Sequence, residues 1–346
     1  MNISEEIGKL SSTALLIRAR AESTDDWDTV ISLSQEPSIY LETVFLDYFV
    51  AYNSVSGEVA DLSVIIYINR KPSAILPLFA IKSAVSKSLC SPAALGIRPP
   101  LIAQGCNEKE IKNIIDVSLA WISKCASLLD IHEWKSEELL FSNGCTPWQR
   151  RIREISSNDK VGVHLFLDLK NSADEIFRSW RKSYRNLIKA ADPRWKVEVC
   201  EGDCDSVMRE FQALHITVAE RVTRPQETWD LQAKSIREGL GFVVTIRDEG
   251  GELVGAALFG LSSLVCAYSV AAYRRDLFAH PLGHLTIWAA VTHAKKLNKS
   301  TFYLGERIYS EGTEKEVKIS EFKEGFADTF RVSLRSIVET TTEDGR

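Results

Sequence analysis

Residues 280–328 read HPLGHLTIWAAVTHAKKLNKSTFYLGERIYSEGTEKEVKISEFKEGFAD. An apolar segment with helical spacing covers 281–297, a short strand pattern covers 301–304, and a Gly-Glu pair follows at 305–306. The cluster EFKEGF then occupies 321–326. This succession predicts a helix N-terminus, a strand end and a lysine-bearing loop around one cleft. We interpret the cleft as a transferase site.

Length and composition limit the kind of protein to which this cleft belongs. At 346 residues the chain is longer than a usual single domain, so we expect two domains, each able to form its own core. Hydrophobic residues make up 45% of the chain and charged residues 26%, which is typical of soluble globular proteins. No apolar run has the length of a membrane span, and residues 1–6 do not resemble the start of a signal peptide. These features predict a cytoplasmic protein without a transmembrane segment.

Seven cysteines are scattered along the chain, and only Cys200 and Cys204 lie close together. No histidine or second cysteine pair follows them at the spacing of a zinc site. Free or buried thiols in a reducing compartment fit this pattern best. We therefore predict no structural disulfide and no bound metal.

The charge is unevenly distributed. The net charge of −5 gives no general attraction for DNA or for an acidic membrane surface. Between residues 176 and 196, however, seven basic residues accompany one acidic residue, Asp192. The basic residues are Arg178, Arg181, Lys182, Arg185, Lys189, Arg194 and Lys196. So concentrated a basic segment favours an anionic ligand.

The first half of the chain has the pattern of an α/β domain. Two helices are followed by two strands, a loop rich in Ser, Pro and Gly, a long helix and a further strand. The predicted helices cover 26–33, 40–52 and 108–129, and the predicted strands cover 62–69, 74–81 and 139–142.

The second half repeats this order of elements. The predicted strands are 163–169, 196–200, 242–247, 253–259, 264–271 and 301–304, and the predicted helices are 173–191, 206–220, 228–238 and 281–297. Asn171 and Ser172 are plausible caps of the first of these helices. The repeated order predicts two similar domains, 1–155 and 156–346, joined by a polar link near 150–160 and ending in a loose tail from 340.

Several segments of the second half resemble one family. RKSYRNLIKA at 181–190 resembles the R-x-x-I-x-K-A helix of FemAB-like, doubled-GNAT transferases, and FKEGF at 322–326 is similar to their F-K-x-x-F motif. Tyr268-x-x-x-Ala272, Pro281 and the helix, strand and Gly305 follow in matching order between the two. The resemblance extends to cellulose-biosynthesis-type GNAT proteins. It covers 163–330 well and the first half only through 40–46.

The resemblance implies both a fold class and an activity. The fold class is α/β, or α+β, with two tandem GNAT-like (acyl-CoA N-acyltransferase) domains whose mixed central sheets are flanked by helices. The activity is transfer of an acyl or aminoacyl group to an amine on a cell-envelope glycan, a sugar-nucleotide or a peptide precursor. The acceptor would be a small or nucleotide-linked molecule recognised by the first domain, with the transfer site in the second and a role in polysaccharide biosynthesis.

The donor implied by the resemblance is either acyl-coenzyme A or aminoacyl-tRNA. GNAT enzymes bind the pyrophosphate of coenzyme A on a Q/R-x-x-G-x-G/A loop and the following helix N-terminus. The corresponding stretch here, 274–284, keeps one glycine, Gly283, although Arg274 and Arg275 remain available. This departure weakens the coenzyme A interpretation and leaves the donor open.

The basic helix supplies further candidates for phosphate binding. Arg185 and Lys189 recur at helical spacing, with apolar residues on another side. The diphosphate of a nucleotide-linked precursor or the backbone of tRNA would suit these charges. A surface helix with a solvated basic face explains any single one of them equally well.

Lys323 is the lysine with the strongest functional case. It lies between Phe322 and Phe326, whose rings should anchor the segment while the ammonium points into the cleft. A compact cation there would stabilise the oxyanion that develops on the acyl carbonyl, or hold a phosphate. A surface lysine between two core aromatics gives the same pattern, and the family resemblance favours the functional role.

Acyl transfer to an amine also needs a base. Glu306, just after a strand end, is the preferred candidate, narrowly ahead of His284 at a helix start, with His280 as a further option. A helix N-terminus disfavours the charged form of a histidine. Absence of a G-x-S-x-G elbow or an activated cysteine favours direct attack by the amine without a covalent enzyme intermediate.

Other residues complete the predicted site. Tyr268 and Tyr303 are candidates for donating a proton to the leaving group, and Tyr303 also for substrate binding. Arg221 and Arg224, on a loop after a helix, are candidates for substrate specificity. The alternative to an acyltransferase is a catalytically silent binding module that keeps the doubled fold and has lost its donor site.

Overall fold

The computed structural model describes residues 3–12, 15–35, 38–140 and 145–340. The chain forms two compact units, of which unit 2 comprises Val163–Arg331 and unit 1 comprises the residues before it and those from Val332 onwards. The predicted division placed everything after residue 155 in the second domain. The segment from Val332 groups with unit 1 because it pairs with a strand of that unit and contributes Val338 to its core.

Unit 1 contains helices on short antiparallel strands. Its helices are α1 (Ile3–Leu10), α2 (Thr24–Ser32), α3 (Thr43–Asn53), α4 (Glu108–Leu128) and α5 (Pro147–Ile155). Its strands are β1 (Leu15–Ala19), β2 (Glu58–Asp61), β3 (Val64–Ile68), β4 (Lys71–Leu76), β5 (Phe79–Lys82), β6 (Lys87–Cys90), β7 (Leu101–Ile102), β8 (Glu133–Leu139) and the beginning of β9 (Ser156–Asp168). One sheet has the order β1-β3-β4-β7 and another the order β2-β5-β6. The predicted helices correspond to α2, α3 and α4.

The predicted strand 74–81 is two strands. β4 and β5 belong to different sheets, and Pro77 lies between them. Proline lacks the N–H that a continuous ladder requires, so the break falls there. The predicted strand 139–142 meets the end of β8, and its residues 141–142 lie outside the described residues.

The predicted polar link near 150–160 is instead regular structure. α5 begins with a capping box between Thr146 and Gln149 and has Pro147 in its first turn. β9 follows directly at Ser156. The polar surface of these elements, not an absence of structure, explains the composition that suggested a linker.

Unit 2 is built on one sheet. Its helices are α6 (Ala173–Ser179), α7 (Lys182–Lys189), α8 (Asp205–Ala219), α9 (Gln226–Arg237), α10 (Leu282–Lys296) and α11 (Glu314–Glu324). Its strands are β9 from Val163, β10 (Lys196–Cys200), β11 (Gly241–Arg247), β12 (Leu253–Leu261), β13 (Val265–Tyr273) and β14 (Thr301–Arg307); β15 (Thr329–Glu339) begins in this unit. The order is β10-β11-β12-β13-β14-β9, with β13 and β14 parallel and the other neighbours antiparallel. The sheet is therefore mixed, as predicted.

Helices cover both faces of this sheet. Alternating strand residues point to opposite faces, so Val244 packs with α10 while its neighbour Val243 packs with α8 and α9. We call these the α10 face and the α8 face. The α10 face also receives Trp180 and Phe326, both buried.

Two predictions about helices are wrong in detail. The predicted helix 173–191 is interrupted, because Trp180 and Arg181 have extended backbones with ψ of 157° and 136°. The break lets the Trp180 ring insert edge-on against Phe326, with centroids 4.9 Å apart. Lys323 lies in the last turn of α11 and not on a loop. A capping box formed by Thr313 and Glu316 begins that helix.

Candidate functional site

A gap opens between β13 and β14. Their parallel pairing runs from Val265↔Thr301 to Ala267↔Tyr303, where the register between the described residues ends. Both strands continue past that point, β13 to Tyr273 and β14 to Arg307. Each strand therefore has an edge that is not used in this ladder.

Two bulges account for the divergence. In the β12/β13 pair, Leu258 faces Val270 and Phe259 faces Tyr268, which leaves Ser269 as an extra residue. In the β14/β9 pair, the register shifts between Tyr303 and Gly305, which leaves Leu304 as an extra residue. A bulge bends its strand and increases the local twist. One bulge lies on each strand just beyond the last paired residues, Ala267 and Tyr303, so the strands separate there. We call the opening the β13/β14 gap.

Lys323 reaches this gap from the α10 face. Its Nζ lies 4.7 Å from the ring centroid of Tyr268, on β13. A Cβ built on Gly305, on β14, would lie 3.3 Å from the same Nζ. The ammonium thus stands between the two diverging strands. Gly305 has φ of +113°, so a larger residue there would strain the backbone as well as crowd the lysine.

The Lys323 ammonium has an unusual environment. Among the described residues it makes no hydrogen bond or ion pair, and its one charge-related contact is the Tyr268 ring. Burial lowers the pKa of Lys323 to about 8. Burial also raises the pKa of Tyr268 well above its usual value, with a contribution from Tyr273. A cation held without a counter-ion is suited to receiving a negative charge from a ligand.

The end of α11 is fixed by its neighbours. The buried Arg307 donates to Glu324 at 3.0 Å and to the Ser320 hydroxyl at 2.9 Å, which ties β14 to α11. Phe326 is fully buried on the α10 face. Lys323 therefore projects from a rigid turn whose position is set by strand and core contacts.

The α8 face of the same strands carries polar side chains. The Leu304 bulge places Tyr303 and Glu306 on one face of β14, where the register sets them against Phe166 and His164 of β9. The Tyr303 hydroxyl lies 2.9 Å from His164 Nδ1. Tyr303 and Glu306 were predicted site residues, whereas His164 was missed. A polar residue in the apolar strand VHLFLDL was the available signal.

Comparisons with known proteins address the fold. No protein-family model and no curated protein matches the sequence. Among solved structures, FemX aligns with a TM-score of 0.67 at 10% identity, over 92% of this chain and 96% of FemX. A tandem GNAT protein from the clavulanic acid biosynthesis pathway aligns with a TM-score of 0.52 at 13% identity, over 95% and 100% of the two chains. The chain has the doubled GNAT fold.

A third structure agrees with this doubled GNAT fold. The C-terminal domain of a lysylphosphatidylglycerol synthetase from Agrobacterium fabrum aligns with a TM-score of 0.56 at 12% identity, over 94% of this chain and 93% of that one. The predicted fold class, tandem GNAT-like domains with mixed sheets flanked by helices, is confirmed. At such low identity the likeness concerns the fold and not the individual site residues.

In this doubled GNAT fold the two arginines predicted to bind phosphate have internal partners. Arg274 donates to Asp276 at 2.5 Å and to Glu252 at 3.2 Å. Arg275 donates to Glu220 at 3.0 Å. These carboxylates compensate much of the positive charge before any ligand binds. The partner atoms are exposed, so an anionic ligand would have to compete with them.

Gly283 has a packing role at the start of α10. A Cβ on this residue would lie 3.1 Å from Cζ of Phe322. The close approach brings the first turn of α10 against the end of α11. Gly283 therefore helps to place the Lys323 turn, and its role in phosphate binding stays a prediction.

The basic α7 helix lies on the surface of unit 2. Lys189 is exposed with its ammonium 5.7 Å from the Phe177 ring centroid, and Arg181 is 3.7 Å from Glu324. Arg185 is half-buried, and its Nε is buried without a hydrogen-bond partner among the described residues. Of the predicted phosphate ligands, Arg185 thus has the environment that most favours an anion.

His284 lies inside a group of aromatic rings. Its centroid is 4.5 Å from that of Tyr184 and 5.0 Å from that of Phe322. Its Nε2 is buried and has no partner among the described residues, and burial lowers the pKa of His284 to about 4. The imidazole is neutral at pH 7 and a weak base. This environment disfavours the predicted role of His284 as the general base.

Arg221 and Arg224, the two remaining predicted residues, differ in their exposure to solvent. Arg221 is exposed after the C-terminus of α8. Arg224 is buried, with its guanidinium 3.7 Å from the Trp229 ring centroid. This cation–π contact gives Arg224 a packing role in unit 2. The structure does not bring either residue into contact with Lys323.

The described residues contain neither a candidate metal site nor a candidate membrane-spanning helix. No cluster of three or more His, Cys, Asp or Glu side chains suited to a metal ion occurs in the described parts of the chain. Within the same residues, none of the helices combines the length and apolarity needed to cross a membrane.

Proposed function

We propose that the protein is an N-acyltransferase. It moves an acyl or aminoacyl group to an amine on a cell-envelope glycan, a sugar-nucleotide or a peptide precursor in the cytoplasm. The observation that carries this proposal is the Lys323 ammonium, which stands without a counter-ion at the β13/β14 gap. The doubled GNAT fold supports it, since FemX and a tandem GNAT protein share that fold.

The gap suits an extended donor. Two strand edges that are not paired with each other offer backbone N–H and C=O groups, and an extended chain binds such edges as an added strand does. The pantetheine arm of an acyl-coenzyme A or the ester end of an aminoacyl-tRNA has this shape. Its carbonyl carbon would lie near Tyr268 and Gly305, at the position that the Lys323 ammonium approaches.

Lys323 supplies the electrostatic part of the chemistry. Attack by the amine turns the carbonyl oxygen into an oxyanion, and a preorganised cation in a partly buried site stabilises that charge. With a pKa of about 8, the lysine is still charged in most molecules at pH 7. The amine attacks directly, a C–N bond forms, and the C–S or C–O bond to the donor breaks. No covalent enzyme intermediate is needed.

The donor phosphates are assigned to α7. Arg274 and Arg275 are engaged with carboxylates, whereas the basic residues of α7 face solvent apart from Arg185, which is half-buried. Arg185 and Lys189 would bind the phosphates of either donor, or those of a nucleotide-linked acceptor. Acceptor recognition is assigned to unit 1.

Calorimetric titration with acetyl-coenzyme A and with alanyl-tRNA tests the proposal. We expect heat with one of the two, and an assay of transfer from that donor should lose roughly 100-fold or more in kcat on Lys323→Met. Lys318→Met is the matched control, because Lys318 lies on the same helix and its side chain is exposed with Glu314 as partner. Heat with neither donor would instead favour the silent binding module. The single glycine in 274–284 suggests this alternative, because the phosphate-binding loop of GNAT enzymes has more.

A further inference from the structure

His164 and Tyr303 form a hydrogen-bonded pair on the face opposite Lys323. His164 Nδ1 and the Tyr303 hydroxyl are 2.9 Å apart, and their rings are 5.9 Å apart at an interplanar angle of 30°. Both side chains are half-buried, so each keeps access to solvent. The pair joins β9 to β14 at the point where β14 leaves β13.

The Leu304 bulge creates this polar row. In a regular strand Tyr303 and Glu306, three residues apart, would point to opposite faces. The extra residue brings both onto the α8 face, with Glu306 in register with His164. The titratable groups placed beside His164 by contact or register include Tyr303 and Glu306 on β14. Arg331 lies near the next β9 residue on this face, with its guanidinium 4.6 Å from the Phe166 ring centroid.

The position of Tyr303 relates the pair to the gap. Tyr303 is the last β14 residue in register with β13, so it lies at the closed end of the β13/β14 gap. Lys323 approaches the same gap two residues further along, beside Gly305, from the α10 face. An acyl carbonyl in the gap would have a cation on one side of the sheet and a proton-accepting pair on the other.

We propose that His164 and Tyr303 are the catalytic residues that take the proton from the acceptor amine. In this step the amine nitrogen forms a bond to the acyl carbon, and one N–H proton passes to the Tyr303 oxygen while the Tyr303 proton passes to His164 Nδ1. When the tetrahedral intermediate collapses, the C–S or C–O bond breaks and the leaving group receives that proton from the pair. The proton balance closes without any further reactant.

Glu306 acquires a different role from the one predicted for it. Its register position opposite His164 makes it a positioning residue, which stabilises the imidazolium and its orientation during transfer. Proton transfer requires His164 and Tyr303 to lie on the face from which the amine arrives. The acceptor therefore approaches from the α8 face and the donor carbonyl is polarised from the α10 face.

This inference rests on the proposed acyltransferase function. Its test uses radiolabelled acetyl-coenzyme A and radiolabelled alanyl-tRNA as donors, and glucosamine, glycylglycine and a UDP-linked, lysine-containing peptide precursor as acceptors. Rates are measured across pH for the full-length wild type and for His164→Ala, His164→Gln and Tyr303→Phe. His293→Gln is the control, because His293 also contacts a carboxylate, Glu201 at 2.9 Å, but lies on α10 away from the pair.

We expect kcat to fall by roughly 100-fold in His164→Ala and His164→Gln, and by less in Tyr303→Phe. Imidazole added to His164→Ala should restore activity by about 10-fold or more, which a merely structural histidine would not show. The acidic limb of the wild-type pH profile should disappear in both His164 variants and persist in His293→Gln.

The outcomes separate the two proposals. Transfer by the wild type together with His164 variants that keep their rate and pH profile overturns the His164–Tyr303 assignment and leaves the acyltransferase intact. A loss of rate that imidazole does not restore, with an unchanged pH profile, also overturns the assignment. No transfer by the wild type from either donor overturns both proposals together.

Discussion

The ring of Tyr184 lies directly against Gly325, so that a Cβ on Gly325 would be 2.2 Å from Cε2 of the ring. The Tyr184 hydroxyl also donates to the Phe322 carbonyl at 3.2 Å. The ring has little freedom to move, because His284 and Phe326 pack against it with centroids 4.5 and 4.7 Å away. This contact joins α7, which carries the basic residues, to the turn that carries Lys323.

Replacing Gly325 with alanine should therefore destabilise the protein by about 1–3 kcal/mol, because the added methyl group overlaps a ring that is already packed. Urea denaturation followed by tryptophan fluorescence measures the change. Gly8→Ala is the comparison, since a Cβ on Gly8 meets nothing within 4 Å and a helix favours alanine over glycine. Equal stability of Gly325→Ala and the wild type would contradict the packing described here.

Lys323→Met should make the protein more stable at neutral pH while lowering kcat for transfer by roughly 100-fold or more. Burial lowers the pKa of Lys323 from 10.5 to about 8, so the folded state disfavours the charged form. Below pH 8 this costs about 3 kcal/mol, and the cost is relieved as pH rises from 8 to 10.5. Wild-type stability should rise through that window, and the Met variant should lose this rise. Thermal unfolding at pH 7 and pH 10 measures both, and a less stable Met variant at pH 7 would contradict the environment of the ammonium.

Glu138→Gln should stabilise the protein above neutral pH. Glu138, on β8, is 8% exposed, and burial raises its pKa from 4.5 to about 7 in spite of the hydrogen bond from Thr146. The folded state therefore prefers the neutral carboxyl, and about 3 kcal/mol of stability is lost as pH rises from 4.5 to 7. Glutamine cannot ionise, so the Gln variant should not show this loss of stability. Urea titrations of both proteins between pH 5 and pH 8 measure the difference.

The neighbouring Glu137 provides the control for Glu138. Burial acts to raise its pKa, but the Leu95 N–H and the Arg335 guanidinium outweigh burial and hold it below its usual value. Its contribution is therefore present above its usual pKa of 4.5 and lost in acid. Glu137→Gln should destabilise at pH 7, opposite in sign to Glu138→Gln. The same sign for both would show that the carboxyl environments are not as described.

His284→Phe should keep transfer activity within about 3-fold at pH 7.5, since a buried imidazole among aromatic rings does not act on the substrate. Burial lowers the pKa of His284 from 6.5 to about 4, so its contribution to stability is present above pH 6.5 and lost as pH falls toward 4. The variant should unfold at lower pH than the wild type in an acid titration followed by circular dichroism. Loss of activity in a folded variant would restore His284 as a candidate base.

The order of elements was largely predictable because it follows from local patterns. The apolar period of 281–297 gave α10, and the strand ending before Gly305 gave β14. The motif FKEGF indicated Lys323. The helix α11 was not predicted, because its apolar residues do not follow one helical face. Its capping box at Thr313 and Glu316 was the readable signal.

The parts of the candidate site that were not predictable depend on tertiary structure. The break in helix 173–191 is imposed by the insertion of Trp180 into the core, and local propensity does not reveal it. His164 looked like one polar residue in an apolar strand, because its partner Tyr303 is 139 positions away. Neither extra residue, Ser269 or Leu304, is of a type that indicates a bulge in the sequence.

The extra residue Leu304 decides which face of β14 carries each residue that follows it. If β14 kept all its residues in one regular ladder without the bulge, each residue after Leu304 would turn to the opposite face. Tyr303 and Glu306 would then no longer share a row, and Arg307 would point away from α11 and lose its contacts with Glu324 and Ser320. Deletion of Leu304, by contrast, would leave Tyr303 and Glu306 on one face, because Tyr303, Gly305 and Glu306 would then alternate regularly. The chemistry of this strand thus depends on one irregularity of its backbone as much as on its residue types, and a strand with the same residues in a regular ladder would lack this site geometry.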